Sequence, residues 1–408
     1  MPSVISGMAA LTPFSATVED LFANLWSRRL AYAKLTGPKW KTIEGFRTDS
    51  GGAIPDDLRA SAVECAASLG LDPVCIGDCG VFAAFAAHRA LQSAGLFPVP
   101  PGIRIGLVLG TNFGATPKVQ EALTAEREGR PAGGMLDCYL FENVARRIAS
   151  ALGLDGPVSA LSLSCASGCA VIGQAERYIE TYGLDGCLAV GTDELDVYIF
   201  SGLNSLRAMS PENIVRPWDK NRKGTIFSEG AGAVLLLRPQ ACERLEVPLF
   251  AYVRACHQNN DGFHLSAPDT TASGIIELME HSIAASGIPR ESIDFVNLHG
   301  TGTPYNDKIE TLAITKVFGE RAATLPAAAN KGSLGHLMGA AGIVEAISTV
   351  MSLKLGIVPA TANILERDAD LCIGVSSDER SGRYRTAMKT SYGFGGTNSC
   401  LILERGNA

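Results

Sequence analysis

The residues of this chain best suited to chemistry are one cysteine and two histidines, each placed where a regular element gives way to a glycine- or serine-rich turn. Cys165 follows the apolar, serine-punctuated run Val158-Ser-Ala-Leu-Ser-Leu-Ser and precedes Ala166, Ser167 and Gly168, after which Val171, Ile172, Ala175 and Ile179 fall at helical spacing. The pattern predicts a strand ending at the thiol and a helix beginning just beyond it. Free N–H groups at that helix start would favour thiolate over thiol. His299 closes the apolar segment Ile293-Asp-Phe-Val-Asn-Leu and opens Gly-Thr301-Gly-Thr303, so its imidazole is expected at a strand tip. His336 lies in Asn330-Lys331-Gly-Ser-Leu-Gly-His, ahead of a helical run that carries Glu345. Most buried cysteines act only as small hydrophobes, and Cys169 fits that description. A thiol at a helix start combined with two histidines in glycine-rich turns is the equipment of acyl transfer through a thioester.

The elements that must bring these residues together alternate along the chain. Strands are expected at the N-terminus from Val4, at Ile103–Gly110, ahead of Cys165, at Cys187–Gly191, at Gly230–Leu237, from Pro248 and at Ile293–Leu298. Helices are expected at 17–26, Phe82–Leu96, Asp137–Leu152 and Gly274–Gly287, and the stretch from Gly37 to Asp78 reads as loops and short helices. Alternation of this kind predicts an α/β protein with helices layered on a mostly parallel sheet. The order restarts near residue 246, which divides the chain into 1–245, carrying the cysteine, and 246–408, carrying both histidines. A last motif, Ser391-Tyr-Gly-Phe394-Gly-Gly-Thr-Asn398, sets an aromatic residue between glycines before a final apolar strand.

Composition narrows the class of protein. The 408 residues include 44 glycines and only 19% charged residues, which describes a compact enzyme-like globule rather than a disordered chain. A net charge of -7 gives no general attraction to nucleic acid or to an anionic membrane. The 11 cysteines are odd in number and scattered through apolar runs, as suits free thiols in a reducing compartment. The N-terminus lacks the features of a signal peptide, and the apolar runs are interrupted, for example by His88 and Arg89, before reaching membrane-spanning length. A soluble cytoplasmic protein is expected.

With these motifs in order, the chain resembles the β-ketoacyl-[acyl carrier protein] synthases, condensing enzymes of the thiolase superfamily. The likeness extends from Val4-Ile-Ser-Gly-Met-Ala-Ala-Leu-Thr-Pro through Arg216-Pro-Trp-Asp-Lys-Asn-Arg-Lys-Gly and His299-Gly-Thr-Gly-Thr to Gly393-Phe-Gly-Gly-Thr-Asn. It implies a five-layered αβαβα fold of two similar halves, usually dimeric. It also implies Cys165 as the acylated nucleophile, His299 and His336 as the pair serving decarboxylation, and Lys331 and Glu345 as supporting charges. Thr301 and Thr303 would meet a pantetheine arm, Phe394 would gate the site, and Arg207 would contact an acyl carrier protein. The implied reaction is decarboxylative condensation of a Cys-bound acyl group with malonyl-carrier, in fatty-acid or specialised polyketide or polyene synthesis. It needs no metal or other cofactor beyond the carrier's phosphopantetheine. A partner subunit that shapes chain length without condensing is the alternative, and a degradative thiolase, which would have a second cysteine in place of one histidine, is a further one. Three positions depart from the family. Thr225 stands where Phe is frequent, Leu71-Asp-Pro-Val-Cys-Ile-Gly replaces a basic run that bacterial fatty-acid members commonly carry, and Phe113 takes a place in the acyl tunnel where a smaller residue is common.

Overall fold

In the computed structural model, which describes residues 2–408, the strands that carry the site form one ten-stranded sheet made of two similar halves. In the first half β1 (Ser3–Leu11), β2 (Ile105–Gly110), β3 (Val158–Leu161), β4 (Gly186–Asp193) and β5 (Gly230–Leu237) lie in the order β3-β2-β4-β5-β1. In the second half β6 (Ala251–Asn260), β7 (Phe295–Asn297), β8 (Ala327–Ala328), β9 (Thr386–Gly393) and β10 (Thr397–Arg405) lie in the order β8-β7-β9-β10-β6. Strand directions repeat as well. The outer three strands of each half are parallel, and the remaining two add antiparallel. The halves join through β1 and β6, where Ser3, Val4 and Ile5 pair with Val253, Tyr252 and Ala251.

Side-chain alternation along the strands builds the layers. On β5, Val234 and Leu236 face a central core shared with α2 (Ser167–Tyr182) and α6 (Ala341–Leu355), whereas Ala233 and Leu235 face an outer core shared with α1 (Pro73–Ser93). On β10, Leu401 and Leu403 join the same central core, while Cys400 and Ile402 join the opposite outer core with α4 (Ser273–Ser286) and α5 (Pro304–Phe318). Helix, sheet, helix, sheet, helix is the expected five-layered arrangement. A nine-residue helix α3 (Val197–Ser205) lies beside the site, with Ile199, Phe200 and Leu203 buried.

The central helices meet backbone to backbone. A Cβ on Gly168 would lie 2.6 Å from the Ile343 amide nitrogen, and one on Gly342 would lie 2.5 Å from that of Cys169. Only glycine at both places lets the starts of α2 and α6 cross, and the crossing brings the Cys165 turn beside the His336 turn.

Several boundaries differ from the sequence-based expectation. The strand before Cys165 stops at Leu161, and Ser162–Ser164 carry the chain past the sheet end. The segment Gly37–Asp78 contains a 13-residue helix, Asp56–Ser68, and the first turn of α1, which bends at Gly77. The helix expected at Asp137–Leu152 is a 3-10 turn at Gly133–Cys138 followed by Phe141–Ala151, with extended backbone at Leu140. Pro73–Ser93 and Met338–Leu355 are long and apolar enough to cross a membrane, contrary to the reading that interruptions kept every run short. Their apolar windows are 72% and 89% buried against the sheets, so core packing accounts for their composition.

Candidate active site

The nucleophile turn is held by its own serines. Ser164 has φ +51°, a left-handed conformation that costs a non-glycine residue some strain. Its carbonyl accepts hydrogen bonds from the Ser167 N–H (3.0 Å) and the Ser167 Oγ–H (2.7 Å), and Ser167 Oγ in turn accepts from Leu163 N–H at 2.8 Å. Cys165 is thereby presented at the mouth of α2 with 7% of its surface exposed. The resting charge is not the one expected from the helix start. Burial pushes the Cys165 thiol up to about 11, and the Ser164 hydroxyl and the Lys331 ammonium pull the other way without overcoming it. The Ala166 and Ser167 N–H groups are also engaged by the Leu163 and Ser164 carbonyls, which leaves less of the helix terminus to act on sulfur. The thiol is therefore the resting form, a correction to the thiolate expected from sequence.

His299 projects beyond β7 and is clamped on both sides of its backbone. Its N–H and that of Gly300 donate to Glu310 Oε1 and Oε2 at 2.8 and 2.9 Å, and its carbonyl accepts from Lys331 Nζ at 2.7 Å. The same ammonium lies 3.3 Å from His299 Nδ1 and 2.6 Å from Glu345 Oε1, so Lys331 and Glu345 are a fully buried pair. His336 Nδ1 accepts the Met338 N–H at 3.1 Å. An Nδ1 that accepts leaves the ring proton on Nε2, so the hydrogen bonds assign both imidazoles the same tautomer. The rings lie 5.5 Å apart, nearly perpendicular. Burial first, and Lys331 second, hold both imidazoles well below the ordinary histidine range. Two neutral rings thus offer two N–H donors in a water-poor site.

Two cavities meet at Cys165. One, of about 510 Å³, is lined by Cys165, His299, His336, Thr225, Thr301, Thr303 and Phe394, with Arg207, Arg47 and Lys223 at its mouth. Thr301 and Thr303 share a 2.9 Å hydroxyl contact, and Thr303 caps α5 by accepting from Asn306 N–H. The Thr225 hydroxyl is buried with no hydrogen-bond partner among the described residues. The other cavity, of about 410 Å³, is lined by Cys165, Phe113, Ile199, Leu203, Met338 and Phe394, among others. Phe394 borders both, and its loop presses on the nucleophile. A Cβ on Gly393 would lie 2.9 Å from the Cys165 amide nitrogen. The residues singled out from sequence lie near one another: Lys331 and Glu345 line neither cavity, Lys331 contacts His299 and pairs with Glu345, and Phe113 lines the smaller cavity with the thiol.

Three residues escaped the sequence reading. Asp193, at the tip of β4, accepts from Thr111 Oγ1 (2.7 Å), the Asn112 and Phe113 N–H groups (3.1 Å each) and Gly339 N–H (2.6 Å). It ties the Phe113 loop to the His336 turn, and burial pushes its carboxyl up to about 6. Glu310 fixes His299, and Lys389 reaches Glu345 from β9. A charged residue inside an otherwise apolar strand, as in Ala387-Met-Lys389, was the one available signal.

The position of Phe113 gives a prediction. Its ring joins the cluster of Ile199, Leu203, Phe227 and Met338 and occupies wall volume in the cavity opposite the histidines. Close-packed walls yield poorly to extra methylenes, and each buried methylene is worth about 0.8 kcal/mol. Phe113→Ala should shift preference toward longer acyl groups by about one to two orders of magnitude. Acylation rates over a chain-length series, with melting points measured alongside, test this. An unchanged length profile in a folded variant assigns the ring to packing alone.

Comparison with known proteins gives a consistent picture. Residues 2–241 match the family described as Beta-ketoacyl synthase, N-terminal domain, and residues 250–365 match Beta-ketoacyl synthase, C-terminal domain. The 3-oxoacyl-[acyl-carrier-protein] synthase 2 of Coxiella burnetii is 28% identical, with 98% of each chain covered. The protein of the same name from Rhizobium meliloti is 31% identical over 80% of each chain. Among solved structures, the ishigamide ketosynthase/chain length factor superposes with a TM-score of 0.90 at 27% identity, covering 100% of this chain and 99% of the other.

Proposed function

Because the chain belongs to the β-ketoacyl synthase family, we propose that it joins an acyl group carried on Cys165 to a malonyl thioester with loss of CO2, giving a 3-oxoacyl thioester for fatty acid or polyketide biosynthesis. The single observation that carries this reading is the convergence of one thiol and two Nε2–H donors on one cavity, with a second cavity opening behind the thiol.

In the first half-reaction the Cys165 sulfur attacks an acyl thioester, and its proton leaves with the departing carrier thiol. A resting thiol suits this sequence, since charge then develops only when substrate is in place. In the second, the bond from the malonyl α-carbon to its carboxylate breaks, CO2 departs, and the electron pair forms an enolate whose oxygen accepts from His299 and His336. The enolate carbon attacks the acyl carbonyl. Backbone N–H groups of Cys165 and Phe394 receive that second oxyanion, and collapse releases the Cys165 sulfur, which regains a proton. The steps balance without a metal or redox group, and the phosphopantetheine arm arrives with the substrate past Thr301 and Thr303. A complete set of nucleophile and donors favours a condensing subunit over one that only shapes its partner.

We infer two partner proteins. One is an acyl carrier protein, for which the basic mouth of the larger cavity is suited. The other is a second ketosynthase-like subunit, identical or related, as in the pairing named for the ishigamide protein. Tyr139, Leu140, Tyr198 and Leu206 are large apolar residues left exposed in the single chain. The experiment is intact-mass analysis after incubation with a panel of acyl carriers and malonyl-carrier. Acyl-enzyme followed by 3-oxoacyl product is the expected result, and no acylation with any member of the panel overturns the reading.

Arg207 tests the docking face. It is exposed at the larger cavity's mouth, where Lys223 is already engaged by Glu212. Carrier proteins of this family are acidic, so Arg207→Glu should raise KM for carrier-bound substrate several-fold and flatten its dependence on salt, with kcat little changed. An unchanged KM places docking on another face.

A further inference from the structure

Glu345 has not one ammonium partner but two. Lys331 Nζ lies 2.6 Å from Oε1, and Lys389 Nζ lies 2.9 Å from Oε2 while also donating to the Thr390 carbonyl. Both lysines are completely buried. Lys389 belongs to β9, whose other residues from Thr386 to Tyr392 are buried as well, so its charge has no path to water and is held by this carboxylate and carbonyl. An ammonium is expensive to bury, and one lysine would have sufficed to neutralise Glu345.

We propose that Lys389 is a further positioning residue of the condensation, acting through Glu345 and Lys331 to keep His299 a neutral Nε2–H donor. The proposal rests on the function given above. Oε2 faces the Lys389 ammonium at 2.9 Å as an ion pair without hydrogen-bond geometry, and Lys331 binds Glu345 through Oε1 alone. Its other two hydrogens then reach the His299 carbonyl at 2.7 Å and Nδ1 at 3.3 Å. Without the second lysine, both carboxylate oxygens compete for Lys331, and the contact to Nδ1 is the longest and most easily lost of its three. Losing it frees the His299 tautomer, and one of the two donors no longer points reliably at the enolate.

Charge acts in the same direction as geometry. The groups facing Lys389 are Glu345 from α6, Lys331 from the Asn330 turn, Glu310 from α5, Cys169 from α2, Cys400 from β10, and the two histidines. Burial holds His299 below the ordinary histidine range, with Lys331, His336 and Lys389 adding to it. Removing one positive charge lets His299 take a proton at higher pH.

The test uses Lys389→Met in the full chain, with three readouts. Cys165 acylation from acyl-carrier should be nearly unchanged. Malonyl-carrier decarboxylation should fall by between about 10- and 100-fold in kcat, with KM little altered, because misplacement of a reacting group by about 1 Å has effects of this size. The acid limb of the decarboxylation profile should move to higher pH. Lys389→Gln, which keeps a polar group facing Glu345 but carries no charge, should give the same acid-limb shift with a smaller loss in kcat, and it takes over the comparison if the Met variant does not fold. An acid limb that stays in place, or acylation and decarboxylation falling together, overturns the proposal and leaves Lys389 a structural residue. Wild-type protein that neither acylates nor decarboxylates would instead overturn the function on which the proposal rests.

Discussion

Cys165→Ala should abolish acyl loading and condensation, and among the 11 cysteines of the wild-type chain only the Cys165 peptide should gain acyl mass. The expectation follows from position rather than from intrinsic reactivity. Cys169, Cys187, Cys256 and Cys400 are buried with thiols pushed upward by desolvation, as Cys165 is. What separates Cys165 is that it alone lines both cavities. An acyl thioester entering through one cavity meets it, and the chain that is transferred has room in the other. Loss of a nucleophile that forms a covalent intermediate removes the route itself, so the effect on turnover should exceed about 10⁴-fold. Peptide mapping after incubation with acyl-carrier checks the first claim, and steady-state condensation the second. Acyl groups on Cys169, or comparable turnover by the alanine variant, would show that the nucleophile has been misassigned.

His299→Ala and His336→Ala should each retain acylation of Cys165 while losing about 100-fold or more in malonyl decarboxylation, the usual scale for removal of an oxyanion donor from a preorganised site. Protonation would put a hydrogen on Nδ1, which now accepts from Lys331 in one ring and from the Met338 N–H in the other, so the rings keep these positions only while neutral. Since burial and Lys331 hold both well below the ordinary histidine range, the neutral form persists as pH falls through about 6.5. The acid limb of the wild-type decarboxylation rate that belongs to these rings should therefore lie below that of an ordinary imidazole. Rates of CO2 release between pH 5 and 8, measured separately from acylation, test both parts. Normal decarboxylation by either variant returns that histidine to a purely structural role in its turn. An acid limb at about 6.5 would mean that water reaches the rings when substrate is bound.

Sequence by itself determined the chemistry-bearing residues and their setting. Serine and glycine around Cys165, the Gly-Thr-Gly-Thr run after His299 and the glycines around His336 and Phe394 mark turns at element ends, because these residues suit backbone conformations that strands and helices exclude. Periodicity determined the alternation of elements, and so the layered fold. The same local rules missed the breaks in regular backbone at Ser162–Ser164 and Leu140. Tertiary structure alone decided the protonation of the site. The helix start argued for a thiolate at Cys165, but desolvation outweighs a terminal dipole once the sulfur is enclosed, and enclosure comes from α3, the Phe394 loop and the Met338 turn. It also decided the supporting network. Asp193 reaches Gly339 across 146 positions and Lys389 reaches Glu345 from the strand beside β7, and neither pairing has a periodicity to betray it. Hydrogen bonds and ion pairs of this kind follow from distance in space, and spacing along the chain records distance only within a single element.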